Sequence, residues 1–231
     1  EQQQDTALLF HTDPIDPNGT ALFAVREALF GKKSNVYFTN RKMETEGMNL
    51  LYNIANVTIL PSSNEGWGLS LTESLMAGTM IIANVTGGMQ DQMRFEDSEG
   101  KWIDFTEQFP SNHFGTYKKC GNWALPVFPS NLSLLGSVQT PYIWDSHLDF
   151  RDLAVAIEEV YNMTPQELKE RGKEGREWVI SKESMMSARM MCQNMIEGIN
   201  ETLGKFKPKE SFKIHKIEEL PEKKINHPLV Y

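Results

Sequence analysis

One stretch constrains this chain more than any other: Asn64-Glu65-Gly66-Trp67-Gly68-Leu69-Ser70-Leu71-Thr72-Glu73-Ser74-Leu75-Met76-Ala77-Gly78. An apolar run at 57–61 precedes it and reads as a buried strand; a second run, 80–83, follows and ends in Asn84-Val85-Thr86-Gly87-Gly88. Strand, glycine-bearing turn, helix, strand and glycine pair describe a βαβ unit with parallel strands and a right-handed crossover. Gly66 and Gly68 flank Trp67, so the backbone can bend sharply there and a ligand can approach with no Cβ in the way. From Gly68 the periodicity is helical, with Leu71, Leu75 and Met76 on one face. The first amides of that helix, near Gly68 to Leu71, lack partners within it and point out of its positive end, which favours a phosphate or diphosphate. Glu65 lies just before the turn and Glu73 just over one turn inside the helix. Carboxylates do not grip phosphate, but they accept hydrogen bonds from hydroxyls. A sugar on one side of a diphosphate and a ribose on the other would suit them.

Glu65 and Glu73 are separated by seven residues beginning Gly-Trp-Gly-Leu, and Ser74-Leu75-Met76-Ala77-Gly78, an apolar strand and Gly87-Gly88 follow. This pattern resembles the E-x7-E signature of retaining nucleotide-sugar glycosyltransferases of the two-domain GT-B fold, family 4. The resemblance extends over about residues 7–188, with its motif core at about 50–90. Trp67 stands where the family usually has Phe, and Thr79-Met80 where it usually has a residue followed by Pro. The resemblance implies a Rossmann-like, mostly parallel sheet with helices on both faces, one half of a GT-B fold. It implies binding of a nucleotide-diphosphate sugar and transfer of the sugar to an acceptor hydroxyl with retention. In that scheme Glu65 orients the sugar as the catalytic carboxylate, Glu73 holds the ribose hydroxyls, and the amides of Gly66, Trp67, Gly68 and Leu69 bind the diphosphate and stabilise charge on the leaving group. No metal is expected, because helix amides and side-chain cations take its place; the nucleotide sugar is substrate, not cofactor. The family also places a first Rossmann-like domain ahead of this one, which binds the acceptor. The family's usual basic pair for the diphosphate has no match here. A fragment lacking that first domain is expected to transfer poorly. Two other readings fit the same scaffold: an epimerase or phosphorylase, and a non-catalytic nucleotide-sugar-binding module.

At 231 residues the chain can bury a real core, and its formal charge of −8 argues against a nucleic-acid binder that relies on general basicity. No apolar run reaches the length of a membrane span, and the N-terminal Glu1-Gln2-Gln3-Gln4-Asp5 is not a signal peptide. The two cysteines, Cys120 and Cys192, lie far apart, which suits a reduced compartment, and a cytoplasmic location is expected. Six N-x-[ST] sequons, at Asn18, Asn56, Asn84, Asn131, Asn162 and Asn200, read as chance, because Asn56 and Asn84 border buried strands.

Along the chain, 7–11 reads as a first strand, 20–30 as a helix closed by Gly31, 36–39 as a second strand and 45–54 as a second helix. With 57–61 and 81–85 this gives four strands alternating with helices, expected as one sheet covered on both faces. Ligands bind beyond the carboxyl ends of such strands, so 11–13, 40–42, 62–65 and 84–88 are expected to converge on one crevice. Arg41 or Lys42 could offer charge to a diphosphate or be a solvated loop cation; in the resembled family this loop lies near the nucleobase. His11 could reach the crevice or simply cap a strand end. Gly87-Gly88 opens a short helix whose amides offer a second place for an anionic or hydroxyl-rich group.

An insert at about 95–147 is rich in aromatics, Pro and Gly and reads as irregular, with 124–129 as a possible edge strand. Its aromatics could stack on sugar rings or form a small core of their own. Helices are expected at 149–161, with Asp149 as N-cap, and at 164–180, with a capping box between Thr164 and Glu167. The latter is highly charged and reads as a surface helix. A methionine stripe, Met185, Met186, Met190, Met191 and Met195, reads as core packing on a helix at 184–203. The domain is expected over 1–204, with a Lys/Pro-rich extended tail at 205–231.

Overall fold

The computed structural model describes residues 5–17, 19–31, 34–103, 106, 110, 112–138 and 140–209, and no side-chain statement is made for Ser137 or Thr140. In order the elements are β1 (Leu8–His11), α1 (Leu22–Phe30), β2 (Val36–Thr39), α2 (Thr45–Ile54), β3 (Val57–Leu60), α3 (Leu69–Ala77), β4 (Met80–Asn84), α4 (Gly88–Asp91), β5 (Ala124–Val127), β6 (Pro129–Ser137), β7 (Thr140–Leu148), α5 (Phe150–Asn162), α6 (Pro165–Val179) and α7 (Ala188–Lys205). The chain divides into two compact units, Glu1–Ser187 and Ala188–Tyr231.

In the first unit the alternating strands and helices form, but the strands do not join one sheet. Parallel β1 and β2 pair with each other, Leu8 opposite Val36, while β3, β4 and β5 form a separate parallel sheet in that order. The expected single four-stranded sheet is therefore two ladders among the described residues. The reason lies at β1, which pairs only with β2 and is exposed along its whole length. No residue of α1 is buried either.

The core sits around β4, which is buried at all five of its residues. Leu71 and Leu75 of α3, Ile81, Ala83, Val85, Met89, Met93, Phe95, Trp123, Trp178 and Val179 form one cluster on one side of the sheet. A second cluster joins Ile82, Leu125 and Val127 to Ala156 and Val160 of α5. Burying a large apolar side chain contributes about 1.5–3 kcal/mol, so this sheet, with α3 and α6 on one face and α5 on the other, carries most of the stability. Asp149 caps α5 by accepting from the Arg151 amide at 2.8 Å. The Thr164–Glu167 capping box forms in both directions and starts α6 at Pro165.

Helix α6 differs from the expected surface helix. Gly172, Gly175, Trp178 and Val179 are buried on it. Trp178 stacks on Trp123 with ring centroids 5.0 Å apart and planes 21° from parallel. A Cβ on Gly172 would lie 2.0 Å from the Gly78 carbonyl oxygen, and one on Gly175 2.7 Å from the Trp123 Cβ. The helix therefore meets α3 backbone to backbone, through glycines that an apolar pattern does not register.

The insert is partly regular. β5 extends the main sheet as its edge strand, as expected, and β6 and β7 form an antiparallel hairpin that the irregular reading of 95–147 missed. Phe95, Trp102, Tyr117, Trp123 and Phe128 pack into the main core and tie the insert to the domain, whereas Phe114, Tyr142 and Trp144 stay exposed. Cys120 is half-buried against the core, and burial, followed by the charges of Glu96 and Glu159, pushes its thiol up to about 12.

In the second unit, α7 begins at Ala188 rather than near Ser184, and the methionine stripe is core packing only in part: Met186, ahead of the helix, lies against the main cluster. Met190 is buried, but Met191, Met195, Ile196, Ile199 and Leu203 are exposed. Of the expected tail, 210–231 lies outside the described residues.

Gly172→Ala tests the backbone contact between helices. Alanine normally stabilises an exposed helix interior by about 1 kcal/mol over glycine. Here the added methyl has no space, and a net loss of about 2 kcal/mol is expected in urea unfolding, with the denaturant slope unchanged.

Candidate functional site

The turn between β3 and α3 is built by a closed ring of hydrogen bonds. The Trp67 indole Nε1 donates to Thr72 Oγ1 at 2.9 Å, Thr72 Oγ1 to Gln92 Oε1 at 2.7 Å, and Gln92 Nε2 back to the Trp67 carbonyl at 2.6 Å. Gln92 is fully buried, and its own carbonyl accepts from Trp123 Nε1 at 3.0 Å, which ties the turn to the core. A phenylalanine at 67 has no donor for Thr72. Gly68 takes the left-handed conformation, φ +81°, that ends the turn and starts α3. A Cβ there would also press on Leu60 and Met89 at 3.1 Å.

Gly87 and Gly88 serve this turn directly. The Gly88 amide donates to the Glu65 carbonyl at 3.3 Å. A Cβ on Gly87, whose φ is +53°, would lie 2.2 Å from the Glu65 carbonyl oxygen, and one on Gly88 2.4 Å from that of Gly66. The glycine pair thus lets two loops touch along their backbones. This narrows the expectation that α4 offers a second anion-binding end: the Gly88 amide is already engaged, and the helix is only four residues long.

Gly66 is different. A Cβ there would meet nothing within 4 Å, so its surroundings are open. Among the described residues no hydrogen bond engages the amides of Gly66, Trp67, Gly68, Leu69 or Ser70, and Leu69 is 69% exposed. The positive end of α3 therefore carries unpaired donors, with Gly66 and Leu69 exposed and Gly68 buried between them. Glu65 stands partly exposed at its entrance, and Glu73 is exposed on the next turn of α3. Glu73 Oε2 accepts from the Tyr52 hydroxyl of α2 at 2.7 Å, a partner that sequence reasoning missed. Tyr52 falls on the buried face of α2, but nothing in the spacing marks where its hydroxyl points.

Of the four segments expected at one crevice, the structure joins two, 62–65 and 84–88, through the Gly88–Glu65 bond and through Asn84 Nδ2, which donates to the Ser62 carbonyl at 3.0 Å. Residues 11–13 and 40–42 sit at the matching end of the β1–β2 ladder, with His11 opposite Thr39. No described hydrogen bond or ion pair links His11, Arg41 or Lys42 to the α3 turn, and all three are exposed.

Sequence reasoning also missed the hairpin's attachment to this rim. The Ser146 amide donates to the Ser63 carbonyl at 2.8 Å, Ser63 Oγ to Asp145 Oδ2 at 3.1 Å, and Asn64 Nδ2 to the Trp144 carbonyl at 3.4 Å. Asn84 Nδ2 also donates to the Ser146 carbonyl at 2.6 Å, and Thr86 and Asn112 both reach Ser146 Oγ at 3.1 Å. Trp144, 63% exposed, is thereby held next to the residue that precedes Glu65. Asn84, an N-x-[ST] sequon, is fully buried in this junction. Among the described residues no cluster of His, Cys, Asp and Glu could hold a metal, and no helix is long and apolar enough to cross a membrane.

Residues 26–108 match the family described as glycosyl transferases group 1. No curated protein matches the sequence. Among solved structures, sucrose-phosphate synthase from Thermosynechococcus elongatus superposes with a TM-score of 0.55 at 20% identity, covering 86% of this chain and 38% of that one. The catalytic domain of starch synthase IV from Arabidopsis thaliana, bound to ADP and acarbose, gives 0.46 at 14% identity, covering 79% of this chain and 29% of that one. The fold, parallel sheets flanked by helices, is similar to that of GT-B glycosyltransferases, and the group 1 match includes the β3–α3–β4 unit. The chain spans well under half the length of these solved structures.

Two measurements test this construction. Gly87→Ala combines a left-handed backbone with a clash against the Glu65 carbonyl, and a loss of about 3 kcal/mol is expected in chemical unfolding. Burial pushes the Asp91 carboxyl of α4 up to about 6 from 3.8. Because the folded state favours the protonated form, this group's contribution is fully present below about pH 4 and is lost as pH rises through 6. Asp91→Asn should therefore stabilise the chain by roughly 1 kcal/mol at pH 7, after allowance for its partial exposure, and not at pH 4.

Proposed function

We propose that this chain is the donor-binding half of a retaining glycosyltransferase that takes a nucleotide-diphosphate sugar and passes the sugar to an acceptor hydroxyl. One observation carries the reading. An exposed helix end with unengaged amides from Gly66 to Ser70 lies between two carboxylates, Glu65 before it and Glu73 after it. A diphosphate fits the amides, and hydroxyl-bearing rings on its two sides fit the carboxylates. Glu65, at the entrance, orients the transferred sugar. Glu73, further along α3, takes the ribose hydroxyls. The amides hold the diphosphate and stabilise the negative charge that grows on it as the sugar leaves. The rigid anchorage of the turn through Gln92 suits this role, since donors fixed in advance need not reorganise when charge develops. The group 1 family match and the GT-B-like fold support the class of reaction. Arg41 and Lys42 remain candidates for the base-side loop.

The reading predicts that a nucleoside diphosphate raises the melting temperature of the chain, and that EDTA leaves this stabilisation unchanged. Glu73→Ala should weaken nucleoside-diphosphate binding by about 1–3 kcal/mol, measured by calorimetric titration of the folded variant. Undiminished affinity in a folded Glu73→Ala variant overturns the assignment.

A further inference from the structure

We propose that Tyr52 is a positioning residue for the nucleotide site: its hydroxyl anchors one oxygen of Glu73, so that the other is presented to the ribose hydroxyls of a nucleoside diphosphate. The inference rests on the reading of Glu73 as the ribose-binding carboxylate and goes beyond it by naming the group that sets its orientation.

Tyr52 is the one buried residue of α2. It is held at both ends. Its carbonyl accepts from Thr79 Oγ1 at 2.7 Å, at the start of β4, and its hydroxyl donates to Glu73 Oε2 at 2.7 Å on α3. Thr79 stands in place of the residue that the resembled family carries before its proline, and its hydroxyl fixes the end of α2 against the sheet. The ring therefore reaches Glu73 from a rigid base. An exposed glutamate otherwise samples several rotamers, and holding one in place costs binding energy each time a ligand arrives. Tyr52 meets that cost in the free protein.

The bond is also one-sided in a useful way. No described hydrogen bond engages Glu73 Oε1, so the carboxylate is fixed through one oxygen and open through the other. Burial, and then the bond and charge of Glu73, push the Tyr52 phenol well above its ordinary value, so the hydroxyl remains a donor across the working pH range. A phenol in this place can orient the carboxylate without competing for it as a cation would.

The test uses UDP, GDP and ADP, each paired with its 2′,3′-dideoxy counterpart, in calorimetric titrations of the whole chain. For the base that fits, the wild type should bind the ribonucleotide at least about 10-fold tighter than the dideoxy form. Tyr52→Phe keeps the ring and removes the hydroxyl. It should weaken the ribonucleotide by about 3- to 10-fold and leave the dideoxy form within about 2-fold, so the ratio between them shrinks. Equal weakening of both forms, or an unchanged ratio, overturns the inference. On a Glu73→Ala background, Tyr52→Phe should have no further effect on the ribonucleotide, and an additional loss there also overturns it. A wild type that binds both forms alike, or none of the six ligands, overturns the ribose role of Glu73 and this inference with it. That result is distinct from a wild type that discriminates and a Tyr52→Phe variant that discriminates equally well.

Discussion

The contact on which the site depends is the approach of two backbones, Glu65–Trp67 and Gly87–Gly88, with no side chain between them. Only glycines at 87 and 88 allow it. Once the loops touch, the Gly88 amide is satisfied by the Glu65 carbonyl, and Glu65 is fixed at the mouth of the turn. Gln92 then closes the structure from beneath, donating to the Trp67 and Gly68 carbonyls and accepting from Thr72. A fully buried amide whose groups are all paired can orient a turn without the penalty that an unpaired one would bring.

The same device, glycine against backbone, recurs where α6 meets α3 through Gly172 and Gly78. The result is a helix highly charged on its outer face yet closely packed on its inner one. The two tryptophans, Trp123 and Trp178, stack just beside this contact, and Trp123 also bonds the Gln92 carbonyl. The rigidity of the candidate site and that of the α3–α6 packing are therefore linked through one residue. The hairpin β6–β7 joins the same assembly from the other side, by Ser146 and Asp145 at the rim of the crevice.

Much of this was legible in the residue pattern. The β3–α3–β4 unit, the glycine-bearing turn before α3, the Asp149 cap and the Thr164–Glu167 box all follow from local rules: periodicity, glycine conformation and capping chemistry. The glutamates at 65 and 73 are placed by the turn and the helix alone, one before the tip of α3 and one just over a turn inside it, so their spacing was foreseeable. Other features were not. The hairpin alternates poorly because apolar residues lie on both of its exposed faces, as Leu134, Leu135, Ile143 and Trp144 show. Two of the four buried residues on α6 are glycines, which have no side chain for a pattern to detect. The methionines of α7 mark a helical stripe, but Met191 and Met195 remain exposed.

By itself, then, the sequence determined the local elements and the signature turn, because those are set within a few residues by backbone sterics and hydrogen-bond satisfaction. It did not determine how the strands group. β1 and β2 pair with each other and β3, β4 and β5 with one another, a choice made by which edges meet and not by any strand's own composition. Nor did it reveal that Tyr52 holds Glu73 or that Ser146 closes the rim, since those bonds join residues 21 and more than 60 positions apart in the chain. Such pairings arise only when helices and loops have been brought together. At that stage a hydroxyl or amide bonds whatever partner the packing sets within reach.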